Sequence, residues 1–534
     1  MLKRVLALTL LLALWLTFAS AKVSSISGRL SENDIVWPNK LLRDIPIVDP
    51  PQRVAGYFKL NRTHDAHMFY FYFQARNNPT TAPVVLWMTG GPGCSSELAV
   101  FYENGPYKLN PDNTISETEF GWDVDHNVIF VDQPINTGFS YSKDPRDEVS
   151  DEETVAEDML DFLSEFFEVH SDIVNNDFFV TGESYAGHYV PAVSYRLYRA
   201  VELEGFDLNF QGFAIGNGLT NAAIQFGAYA DFAYANGILS ESLRDSINFW
   251  YPLCRFGANL CDSTQWFLPC DIALDICQLT TFERVLNANP GINVYDITKK
   301  CDGPLCYDMT QLTDFMNRAD VQAALGVDRK WQECSFDVYA DFTSDWLRNF
   351  DSVIPEMMED GIRVMIYAGD LDLICNWMGN ERWVNKLQWY GSDQWSAVTA
   401  KNWSADASPG SNSEASGTVR SLGPLSFVRV FKAGHMVPMD QPRNALKLIT
   451  SFTRNQSLTL DDLEQEGDQF QETTVMEDED ESGKYMGKDR GQYMHVIRSQ
   501  AKKTGVAERG ARSWGRKDFL RHRDASAAVV GAAM

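Results

Sequence analysis

Three short stretches carry the residue types from which acyl-transfer chemistry is built. The first is Phe178-Phe179-Val180-Thr181-Gly182-Glu183-Ser184-Tyr185-Ala186-Gly187-His188, an apolar run that passes through a glycine to a serine. A helix-like stretch follows, from Tyr185 to about Arg199. A sharp strand-to-helix turn pushes its side chain out above a sheet, which suits a nucleophilic hydroxyl, and small neighbours make room for the strained backbone. Gly182 meets that need, while Ala186 stands where the common G-x-S-x-G pattern has its second glycine. On this stretch alone an ordinary Gly-x-Ser turn is the competing reading.

A serine needs a base, and the base needs an orienting carboxylate. Val364-Met365-Ile366-Tyr367-Ala368-Gly369-Asp370-Leu371-Asp372 reads as an apolar strand that runs into two acids. Phe427-Val428-Arg429-Val430-Phe431-Lys432-Ala433-Gly434-His435-Met436-Val437-Pro438 reads as a further strand, then a histidine on a loop. A histidine after a strand is by itself a bland loop residue. Serine, aspartate and histidine in that order, each at a strand end, follow the α/β-hydrolase arrangement and not that of chymotrypsin or subtilisin. Local pattern does not separate Asp370 from Asp372.

The elements around these stretches agree with an α/β chain built on a mostly parallel central sheet. Gln52 to Phe73 alternates apolar and polar residues and predicts hairpin strands. Ala82 to Thr89 is continuously apolar, as a buried central strand is. It feeds Gly90-Gly91-Pro92-Gly93, where backbone N–H groups can approach a developing negative charge. The oxyanion hole is therefore assigned to the N–H groups of Gly91 and of Tyr185, the residue after the nucleophile. Asn127 to Pro134 and Phe210 to Asn217 predict strands. Asp151 to Val169 has helical spacing, and its many acids predict a solvated face. From about Thr220 to about residue 335 the alternation lapses into a cysteine-bearing insertion over the active site, and the pattern resumes near Ile354.

Three of these motifs resemble the signatures of the serine carboxypeptidases: Gly182-Glu183-Ser184-Tyr185-Ala186-Gly187, Gly90-Gly91-Pro92-Gly93-Cys94-Ser95-Ser96 and Gly434-His435-Met436-Val437-Pro438. The likeness runs from about Pro50 to about Thr453, nearer the plant enzymes than carboxypeptidase Y or cathepsin A. It implies Asp372, the second acid of the pair, as the partner of His435. It implies a clamp for a free C-terminal carboxylate made by Glu183, Glu103 and the Gly90 backbone, with Trp87 nearby. Glu103-Asn104-Gly105-Pro106 matches a family stretch. Two acids can bind an anion when they share a proton and one donates. Thr89 departs from the family, since carboxypeptidase Y has asparagine there and this chain offers one hydroxyl. Cys375 and Met436 are implied as lining for the departing side chain, which points to apolar residues. The likeness also implies bridges Cys254–Cys277, Cys261–Cys270, Cys301–Cys306 and Cys94–Cys334, leaving Cys375 free. A zinc site lacks nearby histidines at ligand spacing, and no cofactor or metal is expected.

The rest of the chain sets the context. With 46 Lys and Arg against 73 Asp and Glu, the formal charge of −27 excludes the basic footprint of a nucleic-acid binder. It suits a soluble protein of an acidic compartment. Lys3 and Arg4 precede an apolar run from Val5 to Phe18, then Ala19-Ser20-Ala21, which predicts a secretory signal over residues 1–21 and no membrane span after its removal. The expected destination is the vacuole or lysosome, or the exterior. Residues 22–50 read as an arm or a propeptide, and 51–454 as the catalytic domain. Asn61, Asn402 and Asn455 open N-x-[ST] triplets and are candidate glycosylation sites. Residues 455–534 turn acidic, then basic, with too few apolar residues to fold alone. The expected substrates are the C-termini of peptides and proteins. An acyltransferase of the same fold is the alternative, against which Glu183 stands, because such relatives often carry aspartate before the nucleophile. A lipase or esterase gives no reason for the Glu103 and Glu183 pair. A purely protective role gives none for a complete triad.

Overall fold

Strand order fixes where the chemistry can sit. The computed structural model describes residues 52–303, 305–406 and 414–459; the signal, the arm or propeptide and the tail beyond 459 lie outside the described residues. Twelve strands are β1 (Arg53–Lys59), β2 (His67–Phe73), β3 (Val84–Met88), β4 (Tyr107–Leu109), β5 (Ile115–Glu117), β6 (Asn127–Val131), β7 (Phe178–Glu183), β8 (Phe210–Gly216), β9 (Arg363–Gly369), β10 (Lys401–Trp403), β11 (Gly417–Leu422) and β12 (Leu425–Val430). Ten form one sheet in the order β1-β2-β6-β3-β7-β8-β9-β12-β11-β10, and β4 pairs with β5 apart from it. The six central strands, β6 to β12 in that order, are parallel, and the outer ones are antiparallel.

The central strands are apolar on both faces because helices cover both. Successive side chains alternate between the faces. Val84, Leu86 and Met88 of β3 join one buried cluster, while Val85 and Trp87 join the other. The helices used below are α1 (Glu97–Tyr102), α2 (Glu152–Val169), α3 (Ala186–Arg199), α4 (Glu241–Thr264), α5 (Phe267–Cys277), α6 (Phe336–Asp341) and α7 (Pro442–Thr453). Helices α2 and α3 pack on the first face, and α1 and α7 on the second.

Helix α2 keeps most of its acids on the expected solvated face, with Glu153, Glu157, Asp161, Glu165 and Glu168 partly or fully exposed, but two acids lie inside. Asp151 caps its start, accepting from Thr154 N at 2.8 Å. Glu152 is fully buried and Asp158 nearly so. Burial pushes Glu152 well above the usual carboxylate range, and nearby Asp345 adds to the rise. Asp158 is pushed up to about 7, by burial against the opposing effect of Arg62. Acid spacing along a helix gives charge but not depth.

Between β8 and β9 the chain forms a mainly helical segment stapled by disulfides. Cys254–Cys277 and Cys261–Cys270 join α4 to α5 and the residues around them, and Cys301–Cys306 closes a short loop. Cys94–Cys334 ties the segment to the loop after β3. Cys375 is free and buried. Asn61, Asn402 and Asn455 are all exposed. No described helix is long and apolar enough to cross a membrane.

Candidate active site

In an open α/β sheet, ligands bind beyond the carboxyl ends of the strands. The candidate triad and the glycine loop lie there: Gly90 and Gly91 after β3, Ser184 after β7, Asp372 after β9 and His435 after β12. Ser184 has φ +68°, a left-handed conformation that costs a non-glycine residue about 1–3 kcal/mol. Hydrogen bonds hold it there. Its N–H donates to Gly216 O at 3.1 Å, and its carbonyl accepts from Gly187 N and Leu219 N, each at 2.9 Å. At about 1 kcal/mol each, these bonds are of the size needed to offset the strain.

Two glycines make the turn possible. A Cβ at Gly182 would stand 2.5 Å from Met88 O and 2.6 Å from Ala186 Cβ. A Cβ at Gly90 would stand 2.4 Å from Tyr185 N and 2.8 Å from Ser184 Cβ. The loop after β3 therefore lies directly against the nucleophile turn, which brings the backbone of Gly91 and Tyr185 to one place.

Asp372 is fully buried and His435 nearly so. His435 Nδ1 lies 2.8 Å from Asp372 Oδ2, which leaves Nε2, buried and with no partner among the described residues, to serve another group. Asp370 is engaged elsewhere. It accepts from Lys432 N at 2.8 Å and pairs with Arg429 at 3.4 Å, so it fastens the end of β9 to the turn after β12. Asn217, at the end of β8, donates through Nδ2 to Asp372 Oδ2 at 2.8 Å. The N–H groups of Ile374 and Cys375 donate to the same carboxylate at 3.1 and 3.2 Å. Sequence reasoning missed Asn217, although a polar residue closing a buried strand beside two glycines was its signal. It also missed Tyr295, whose carbonyl accepts from His435 N at 2.7 Å and whose ring lies 5.1 Å from the imidazole.

Ser184 and His435 line a cavity of about 540 Å³, together with Thr89, Gly90, Gly91, Glu103, Glu183, Tyr185, Cys375 and Met436. Trp87 does not reach it. Its ring is fully buried, and its Nε1 donates to Thr89 Oγ1 at 3.0 Å, so it touches the cavity lining only by way of the threonine. Aromatic and aliphatic side chains, among them Phe226, Tyr229 and Met309, make up much of the remaining wall.

Glu103 and Glu183 are hydrogen-bonded to each other. Burial raises both above the usual carboxylate range, and the charge of Glu103 raises Glu183 further. An unpaired carboxylate out of water costs several kcal/mol, whereas one unit of pKa shift corresponds to about 1.4 kcal/mol. Keeping a proton on the pair is the cheaper state. Each acid has a buried Oε2 without another partner among the described residues. Cys375 is buried too, and burial pushes its thiol well above its ordinary value, with Asp372 adding to the rise. No cluster of three or more metal-ligating side chains occurs among the described residues.

Comparison with known proteins gives consistent likenesses. Residues 46–455 match the family described as serine carboxypeptidase. Serine carboxypeptidase 3 of Hordeum vulgare is 44% identical over 81% of this chain and 86% of its own length. Its namesake in Triticum aestivum is 46% identical over 78% of this chain and 84% of its own. The solved structure of a prohormone-processing carboxypeptidase from Saccharomyces cerevisiae is 25% identical, with a TM-score of 0.70, and covers 79% of this chain and 95% of that one.

Proposed function

The chain belongs to the serine carboxypeptidase family and is a serine-type carboxypeptidase, and we propose that it releases C-terminal amino acids through an acyl-enzyme on Ser184, with its best efficiency in acid. Ser184 Oγ attacks the last peptide carbonyl, and Nε2 of His435 takes the proton and passes it to the departing amine. Asp372 holds the imidazole with Nδ1 protonated. The N–H groups of Gly91 and Tyr185 stabilise the oxyanion. Water then repeats the sequence on the acyl-enzyme, with His435 as base, and frees the shortened peptide.

The observation that carries the exopeptidase reading is the Glu103–Glu183 pair beside the nucleophile, Glu183 buried, Glu103 partly so, and each with an Oε2 out of contact with solvent. An endopeptidase or a lipase has no anion to place there. While the pair holds its proton, one carboxyl can donate to a substrate carboxylate, aided by the Gly90 backbone and Thr89 Oγ1. Cys375 and Met436 would then bound the pocket of the leaving residue, which suits apolar side chains. Four disulfides agree with a chain that enters the secretory route. The test is release of the last residue from an N-blocked dipeptide at acid pH, beside transfer of the acyl group to an added alcohol. Free amino acid as the main product supports the reading. Ester as the main product in the presence of water would replace it with an acyltransferase.

A further inference from the structure

Four aromatic rings run in sequence from solvent to the nucleophile turn. Phe336 and Tyr339, on α6, lie stacked with centroids 6.4 Å apart and planes 16° from parallel. Tyr339 meets Trp346 edge-on at 5.3 Å. Trp346 lies 5.5 Å from Tyr185, the residue after Ser184. Exposure falls along the row, from 79% at Phe336 through 43% at Tyr339 to 2% at Tyr185. All four rings border the cavity that holds Ser184. A lone exposed phenylalanine needs no explanation. A graded row that ends beside the nucleophile does.

The row is fastened to the catalytic loop. Cys334, just before α6, is bridged to Cys94. Ser95 N donates to Glu333 O, and Ser335 N donates to Gly93 O, each at 2.8 Å. Ser335 caps α6 by accepting from Val338 N at 3.4 Å. The rings therefore hold a fixed position relative to the backbone of Gly91.

On the carboxypeptidase reading of the site, on which this inference rests, the substrate's last carboxylate sits at Glu103 and Glu183. Every residue upstream of the scissile bond then leaves through the mouth. Alternate side chains of an extended chain point the same way about 7 Å apart, close to the 5.3 and 6.4 Å ring steps from Trp346 to Tyr339 to Phe336. We infer that Tyr339 and Phe336 form an upstream subsite for alternate residues of the peptide, beginning at the third before the scissile bond, selecting peptides with large apolar or aromatic side chains there. The occupant is an extended peptide, because the row is continuous with the site where its carbonyl reacts.

The test uses N-blocked hexapeptides, otherwise identical, with either phenylalanine or serine at both the third and the fifth residues before the scissile bond, beside a blocked dipeptide that ends short of the row. In the wild-type protein the phenylalanine peptide should have a kcat/KM about 10-fold higher, mainly through KM. Phe336→Ala with Tyr339→Ala should reduce that preference to about twofold or less, leave the dipeptide within about twofold of wild type, and be rescued in part by Phe336→Tyr. Calorimetric binding of the same hexapeptides to Ser184→Ala protein, with and without the two alanines, makes the comparison without turnover. It therefore reads the subsite even where hydrolysis fails and the carboxypeptidase reading falls. A preference unchanged by the double substitution overturns the inference. So does an equal loss on dipeptide and hexapeptide, which marks a structural role. Faster hydrolysis of both hexapeptides also overturns it, since the row would then seat a segment of this chain.

Discussion

Asn217 Nδ2 donates to Asp372 Oδ2 at 2.8 Å, and His435 Nδ1 meets that same oxygen at 2.8 Å. Asn217 is itself fixed. Its N–H donates to Tyr367 O at 2.8 Å, and its Oδ1 accepts from Gly369 N at 3.1 Å. On the proposed mechanism, the acid that orients His435 is thus itself held from the neighbouring strand. Hydrogen bonds to charged groups contribute about 1.5–3 kcal/mol. Asn217→Ala should therefore lower kcat by about 10-fold or more while KM changes little. Titration of reactive serine with a fluorophosphonate counts the competent sites, so a folding loss is not mistaken for a catalytic one. An unchanged kcat per titrated site would refute the positioning role.

Asp372→Asn and Asp370→Asn should separate cleanly. Losing the orienting acid of a triad costs on the order of 10⁴ in turnover. Asp370 accepts from Lys432 N and meets Arg429, so its amide should cost about 1 kcal/mol of stability and little activity. Turnover and melting temperature, measured on both variants, decide the point. The opposite ranking would move the triad acid to Asp370.

The legible parts of the sequence were those where one residue type has one reason to be present. Strand-end placement of Ser184, Asp372 and His435 follows from apolar runs that stop at small residues, and the parallel sheet follows from the continuous apolar runs. Asp370 and Asp372 differ only in what folds against them: Lys432 and Arg429 for the first, Asn217 and His435 for the second. That information lies in other strands. Glu152 shows the same limit from the other side. Nothing in the spacing along α2 shows that Asp345, nearly two hundred residues away, would share its buried site. Phe336 and Tyr339 were illegible for a similar reason, since two aromatic residues on a short helix mean little until Trp346 and Tyr185 complete the row.

The burial of Glu152 predicts how stability changes with pH. Its folded pKa is raised from an unfolded value of about 4.3. Between those values the folded state keeps a proton that the unfolded state has lost. Stability therefore falls as pH rises through that window, by up to about 1.4 kcal/mol per unit for one group. Glu152→Gln removes the proton exchange while keeping the shape, so melting temperature should decline less between about pH 5 and about pH 7 than in wild type. Parallel declines in the two proteins would show that Glu152 is not the group responsible.

Four bridges and one remaining cysteine predict a single thiol. Denatured, unreduced protein should titrate one sulfhydryl, on Cys375. In the folded state that thiol should react slowly with thiolate-selective reagents, because burial keeps it protonated. Two or more thiols in secreted material would contradict the bridge set, and rapid labelling of the native protein would contradict the burial.

The carboxyl pair predicts that the pH profile depends on the end group of the substrate. Glu103 and Glu183 are both raised by burial; the charge of Glu103 and the bond between them raise Glu183 further, while that same bond lowers Glu103. Below the titration of the pair, a protonated carboxyl can donate to the substrate's C-terminal carboxylate. Above it two anions face a third, and binding weakens. Peptide kcat/KM should therefore fall as pH rises past the usual carboxylate range towards neutrality, mainly through KM. A peptide amide presents no carboxylate to repel, so its hydrolysis needs only Ser184, His435 and Asp372, and it should persist to higher pH. Glu103→Gln with Glu183→Gln should bring the two profiles together, because an amide donates at every pH. The measurement is kcat/KM from about pH 4 to about pH 8 for a matched peptide and its C-terminal amide. Profiles that run parallel in the wild-type protein would show that the two glutamates do not recognise the carboxylate, and the exopeptidase reading would lose the observation that carries it.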